Sequence, residues 1–189
     1  MFHEVLTTHG TVPAVISGPS FANEVALGFP TALTVGCEDD AETQQFTDWF
    51  RNERVRVYTS TDLVGIQLGG AIKNVMAIAT GICDGLGLGA NARAALITRA
   101  LAEMTRFGIA LGGQAKTFSG LTGVGDLLLT ATDDQSRNRR LGLGLGAGGS
   151  ITKLIKEIGQ EIEGINTARV LYEKSRELGI QMPISEQVY

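Results

Sequence analysis

The sequence predicts an α/β layer over residues 1–60 followed by an all-helical unit over residues 61–189. Two observations carry this division. Within the first sixty residues, short β-branched runs alternate with helical segments, as they do where strands and helices share one layer. After Ser60 the strand signal stops, and helical periodicity continues to the end of the chain.

Taken in order, "MFHEVLTTHG" reads as helical, and "AVIS" (14–17) is a short apolar strand ended by "GPS". "FANEVALG" is a short helix with Ser20 as its expected N-cap, and "TALTVG" is a second strand. "DDAETQQFTDWFRN" opens with acids suited to a helix N-terminus and places Phe46, Trp49 and Phe50 on one face. "RVRVYTS" alternates and is a third strand. Ser60 or Thr61 is then expected to cap a long helix running to about Gly81, and "ANARAALITRALAEMTRFGIALGG" forms a second. "GDLLLTAT", "SRNRRLGLGLG", "ITKLIKEIG" and "INTARVLYEKSRELG" are shorter helices, and "PISEQVY" begins another. Two or three strands cannot bury both faces of a sheet, so the α/β piece reads as part of a larger layer and the chain as a fragment.

Of 189 residues, 43% are hydrophobic and 19% charged, the composition of a soluble globular protein with a sizeable core. A net charge of -4 offers no footprint for nucleic acid or an anionic membrane surface. The two cysteines, Cys37 and Cys83, are far apart, and both histidines, His3 and His9, lie in the first ten residues. This spacing argues against a metal site or disulfide framework and for a reducing, cytoplasmic setting. No charged-then-apolar leader opens the chain. Leu63 to Cys83 is apolar enough to suggest a membrane span, but Lys73 sits at its centre, where insertion costs about 2.5–3.5 kcal/mol. The segment is read as a helix buried in protein rather than an integral membrane segment.

"GLGLGA" occurs at 85–90 and again at 142–147, and Gly144 to Gly149 satisfies the letters G-x-G-x-x-G. A dinucleotide cradle needs a strand before the glycines and a helix after them. The first copy joins two helices and the second follows a helix start at Ser136, so neither has that setting. The first is read as a tight connection and the second as a site of close helix approach.

Four stretches could carry chemistry. Lys73 is the only charge in "LVGIQLGGAIKNVMAIATG". In apolar surroundings its ammonium would lose hydration and become a candidate acid/base; alternatively it snorkels to the surface. Gly69, Gly70 and Asn74 thin the adjoining helix surface. Asp126 opens a helix with Thr130 one turn on, a pair suited to the hydroxyls of a small polyol or simply an acid favoured by the helix dipole. In "SRNRR" (136–140), Ser136 suits an N-cap, yet Arg137, Arg139 and Arg140 crowd a turn where the dipole disfavours cations. Asp133 and Asp134 could compensate; the preferred reading is a bound anion such as phosphate, with Asn138 assisting. "SGPSFA" (17–22) is a strand end of the kind that borders ligand crevices, or a plain turn.

Together, "SGPSFANE", "GGAIKNVMAIATGICDGLGLGANARAALITRALAEM", "LTGVGDLLLTAT", "SRNRRLG" and "EIEG" resemble, in this order, the bacterial-type NAD(P)-dependent glycerol-3-phosphate dehydrogenases. The resemblance covers nearly the whole chain. It implies a fragment of a Rossmann domain followed by an all-α domain like the C-terminal domain of 6-phosphogluconate dehydrogenase. It also implies interconversion of glycerone phosphate and sn-glycerol 3-phosphate with NAD or NADP as cofactor, feeding glycerophospholipid synthesis. Lys73 matches the catalytic acid/base. Gly18, Ser20, Asp126, Ser136, Arg137 and Asn138 match substrate-site positions, and Ala22, Arg137, Glu161 and Glu163 match cofactor contacts, with Glu161 standing where the family usually has valine. The family's glycine-rich dinucleotide half, with a further active-site lysine, has no counterpart here and is expected before Met1, so the chain alone is expected to be inactive. The expected partner is a small phosphorylated substrate, with a homodimer left open. Two alternatives remain: a non-catalytic helical module for assembly or phosphometabolite binding, and a related hydroxyacid dehydrogenase with another substrate.

Overall fold

The computed structural model describes residues 12–189; the helix expected over residues 1–10, with His3 and His9, lies outside them. Strand β1 (Ala14–Ser17), helix α1 (Ala22–Ala26), β2 (Thr31–Cys37), α2 (Asp40–Phe50) and β3 (Val55–Ser60) form the α/β layer. The strand order is β1-β2-β3. β1 runs antiparallel to β2, pairing Ile16 with Val35, and β3 runs parallel to β2, pairing Val35 with Thr59. The parallel pair needs a crossover, and α2 supplies it. Leu33, Val35, Val55 and Val57 form the core of this layer, with Phe46 packed against it. Of the three aromatic residues expected on the buried face of α2, only Phe46 reaches that core. Trp49 is 64% exposed and meets Phe46 edge-on, with ring centroids 5.1 Å apart.

The helical unit follows as α3 (Leu63–Gly85), α4 (Gly89–Ala110), α5 (Ala115–Phe118), a π-helical turn (Leu121–Gly125), α6 (Asp126–Thr132), α7 (Arg137–Gly146), α8 (Ile151–Ile158), α9 (Glu163–Glu177) and α10 (Pro183–Val188). α5 and the π turn add to the elements expected from the sequence. The cap of α3 also differs from expectation. Asp62, not Ser60 or Thr61, accepts from the Gly65 amide at 2.9 Å, while the Ser60 hydroxyl accepts from the Asp62 amide. Buried Asp62 also accepts from the Gln114 amide at 2.8 Å and from the Thr117 hydroxyl, tying the start of α3 to α5. One carboxylate thus accepts from three donors on two elements, more than the two lone pairs of a hydroxyl cap could take. The N-cap of α1 is Phe21, and the Ser20 hydroxyl instead donates to the Gly18 carbonyl at 3.0 Å.

α3 is the axis of the unit. It is long and apolar enough to cross a membrane by length and composition, yet 61% of its most apolar window is buried by neighbouring elements. Ile72, Val75 and Met76 from α3 meet Met104 and Phe107 from α4, Phe118, Leu127 and Leu171 in the main core. This agrees with the reading of a helix buried in protein. The helix runs four residues beyond the expected end at Gly81, and α7 lies against it at Gly81 and Gly85. A Cβ on Gly81 would stand 2.3 Å from the Arg139 carbonyl oxygen, and one on Gly142 would stand 2.2 Å from that of Ile78. Gly85 and Gly146 repeat the contact one turn further on. The second "GLGLGA" is therefore a surface for close helix approach, and the first turns the chain at Gly87 and Gly89, both with positive φ. At the far side, buried Glu103 of α4 accepts from the Ile184 amide at 2.8 Å and from Ser185, fixing the start of α10.

Gly142→Ala should lower stability by about 1–3 kcal/mol, since the new methyl group meets backbone rather than a movable side chain. Thermal unfolding would show a lower midpoint; an unchanged one would refute the close-contact account.

Candidate active site

A cleft of about 850 Å³ lies between the α/β layer and the helical unit. Its walls come from five places: Ser17, Gly18, Ser20 and Ala22 from the end of β1 to the start of α1; Gly70, Lys73 and Asn74 on α3; Asp126 and Thr130 on α6; Asp134 to Asn138 in the turn before α7 and its first residues; and Gln160 with Glu163 before and in α9. Sites of this kind, where a strand end meets a second unit, are common ligand crevices.

Lys73 faces this cleft, and its ammonium donates to Asp126 Oδ1 at 2.6 Å. The expectation of a lone ammonium among apolar groups is corrected here, because α6 brings a carboxylate 53 residues away in sequence against it. Lys73 remains 21% exposed, whereas the Asp126 side chain is 3% exposed, so the ammonium is the member of the pair accessible to a ligand. Thr130 donates mainly to the Asp126 backbone carbonyl at 2.7 Å, with Oδ1 at 3.3 Å. Burial pushes the Asp126 carboxyl above its ordinary value, outweighing the Lys73 charge and hydrogen bond, Thr130 and Gly18. Asp126 is thus neither a solvated first-turn acid nor one half of an open Asp-Thr grip; it is the buried partner of Lys73. Gly18 has φ 136°, and a Cβ there would come 3.1 Å from the Ala32 carbonyl oxygen, so the chain after β1 needs glycine to lie this close to β2.

The opposite wall is the start of α7. Ser136 caps the helix as expected, its hydroxyl accepting from the Arg139 amide at 3.2 Å. Buried Asn138 accepts from the Gly164 amide through Oδ1 at 2.9 Å, joining α7 to the first turn of α9. Arg137 reaches across to Glu163, 2.9 Å away, and both are partly exposed. Arg139 points away from the cleft and is paired with Asp84 at 2.7 Å and Asp134 at 3.0 Å. The two readings of "SRNRR" therefore divide by residue: acids compensate Arg139, while Arg137 and Arg140 line the cleft. The Asp133 carboxylate accepts from the Gln135 amide at 2.8 Å. Glu161 is exposed and is not among the residues lining the cleft, unlike its neighbours Gln160 and Glu163.

Three features escaped the sequence reading. Gln160 lines the cleft, and Gln135 donates to Glu24 at 3.0 Å, bridging α1 to the turn before α7. Asp84 receives both Arg93 and Arg139. A lone acid at the end of an otherwise apolar helix was the available signal for Asp84. Among the described residues, no group of three or more His, Cys, Asp or Glu side chains is placed to hold a metal ion.

Comparison with known proteins identifies the family. Residues 62–189 match the family model described as NAD-dependent glycerol-3-phosphate dehydrogenase C-terminus, and residues 1–43 match that of the N-terminus. The chain belongs to the NAD-dependent glycerol-3-phosphate dehydrogenase family. It is 60% identical over 176 residues to glycerol-3-phosphate dehydrogenase (NAD(P)+) of Thioalkalivibrio sulfidiphilus, covering 93% of this chain and 53% of that protein. Against the protein of the same name from Nitrosococcus oceani it is 53% identical, covering 100% of this chain and 56% of the relative. Among solved structures, glycerol-3-phosphate dehydrogenase from Coxiella burnetii superposes with a TM-score of 0.94 at 47% identity, over 98% of this chain and 58% of that one. The Saccharomyces cerevisiae enzyme superposes with 0.82 at 29% identity, over 92% and 54%. The chain thus spans about half the length of the relatives it matches. The three-stranded sheet is part of a Rossmann domain, and the helices form the family's C-terminal domain.

The raised Asp126 value sets a sign for pH dependence. Between the ordinary 3.8 and the higher folded-state value, the native state holds a proton that the unfolded state releases. Relative to Asp126→Asn, the wild-type protein should therefore lose stability as pH rises from about 3.8 through that window, then level off. Paired thermal melts across pH 3–7 would show this; the opposite slope would mean that Lys73 dominates burial.

Proposed function

We propose that the protein carrying this chain interconverts glycerone phosphate and sn-glycerol 3-phosphate with NAD(P)H, and that this cleft holds the substrate. The observation that carries the reading is the Lys73–Asp126 pair facing Arg137 and the capped start of α7 across one crevice. A ketone and a phosphate on a three-carbon substrate need a proton donor and an anion site held apart on a rigid frame. Lys73 gives its Nζ proton to the carbonyl oxygen in reduction and takes the hydroxyl proton in oxidation. Asp126 holds the ammonium in place and offsets its charge. Ser136, Arg137 and Asn138 receive the phosphate, the guanidinium as a forked donor near the positive end of the α7 dipole. Gly18 and Ser20 close the substrate side.

Ala22, Arg137 and Glu163 line the same cleft and would hold the cofactor. The fit is favourable: Gly18 lets the strand end pass without a side chain, and the cleft is roomy and polar. A bound nicotinamide supplies or accepts the hydride. Glu161 has no part in this assignment. Use of the product in glycerophospholipid synthesis, a cytoplasmic location and a homodimer belong to the same proposal and rest on the family likeness.

Expressed from its whole reading frame, the protein should oxidise NADH or NADPH in the presence of glycerone phosphate. Lys73→Ala should reduce kcat by about 10²–10⁴-fold or more. Near-normal turnover in that variant would remove Lys73 from the chemistry, and no turnover in the wild type would refute the assigned reaction.

A further inference from the structure

Asp84 and Arg139 each stand at the wrong end of their own helix. Asp84 lies in the last turn of α3, where the dipole favours cations, and Arg139 lies in the first turn of α7, where it favours anions. Local preference opposes both residues, and their pairing across the two helices relieves it, with Arg93 adding to Asp84 and Asp134 to Arg139. Arg139 is 7% exposed and donates to Asp84 at 2.7 Å, to Asp134 at 3.0 Å and to the Ala131 carbonyl at 3.0 Å. Its backbone amide also donates to Ser136. A single residue therefore ties the end of α6, the following turn and the cap of α7 to the rod that carries Lys73.

The neighbouring helix contact is apolar. Gly81, Gly85, Gly142 and Gly146 bring the backbones close, and Ile78 and Ile82 of α3 pack with Leu141 and Leu145 of α7, but apolar contact is non-directional, whereas the ion pair joins two charges at one axial position. Asp84 lies eleven residues after Lys73, roughly 16 Å along α3. Resting on the reaction proposed above, we infer that Asp84 and Arg139 are positioning residues whose ion pair fixes the axial register of the Arg137–Asn138 turn relative to Lys73. They touch neither substrate nor cofactor. Their role is to hold the anion-binding turn at the separation that a short phosphorylated ketone requires.

Arg93 supplies the control. It binds the same carboxylate through two contacts of 3.0 and 2.9 Å but comes from α4. Asp84→Asn and Arg139→Met should raise KM for glycerone phosphate at least tenfold with kcat changed less than threefold. Both should weaken inorganic phosphate binding, measured by calorimetry, by a similar factor. Arg93→Met should lower Tm while leaving KM and phosphate affinity unchanged. Unchanged KM and phosphate affinity in Asp84→Asn, or an equal KM rise in Arg93→Met, would overturn the positioning role. Should Arg139→Met fail to fold, the near-isosteric Asp84→Asn decides the question. A wild-type protein that binds phosphate without reducing glycerone phosphate would refute the reaction but leave the positioning claim to the phosphate titrations. One that binds no phosphate would overturn the positioning claim itself.

Discussion

Helix α3 must bury most of its surface, and the architecture follows from how that is done. A helix of 23 residues with Lys73 and Asp84 as its only charges has no broad polar face to turn to solvent. α4, α6, α7 and α9 therefore pack around it, and its N-terminus is anchored by Asp62. Burial on this scale leaves little freedom for the two charged positions. Each must be met by a partner from another element, and those partners lie on the segments that build the cleft: Asp126 at the start of α6 for Lys73, and Arg139 at the start of α7 for Asp84.

Two largely buried carboxylates on this frame are tuned in opposite directions. For both Asp126 and Asp84, burial is the largest influence and pushes the carboxyl up. Asp126 has one cationic partner, and burial prevails. Asp84 receives hydrogen bonds and charge from two arginines, and together these hold it below the ordinary carboxylate range. The difference matches their places. Asp84 is a fixed anion inside an ion-pair network, suited to structure. Asp126 is a carboxylate whose charge is costly and whose partner faces a cleft, the condition under which a proton can be exchanged.

The α/β layer contributes little mass to the site but sets its second wall. Gly18, just after β1, lines the cleft with Asp126, and Glu24 of α1 meets Gln135 in the turn before α7. The cleft is thus held from both sides. Trp49, Phe50 and Tyr58, by contrast, leave aromatic surface exposed on the layer.

Much of this was legible in the sequence. β-branched alternation marks β2 and β3, apolar periodicity marks the long helices, and the motifs around Lys73, Asp126 and Ser136–Asn138 mark the site, because each depends on local spacing. The misleading G-x-G-x-x-G letters at 144–149 were also resolved locally, by the helix start that precedes them. Other features required the tertiary structure. Asp62 displaced Ser60 and Thr61 as the cap because a carboxylate could also satisfy Gln114 and Thr117, 52 and 55 residues away. Lys73 proved to be paired rather than isolated, and Arg139 proved to face Asp84 rather than the cleft. These outcomes turn on which charges meet after packing. A sequence fixes the period of an apolar face and the chemistry of each side chain, since both are short-range properties. Which distant charge stands within 3 Å, and so which group is free to act, is decided only when the helices close on one another.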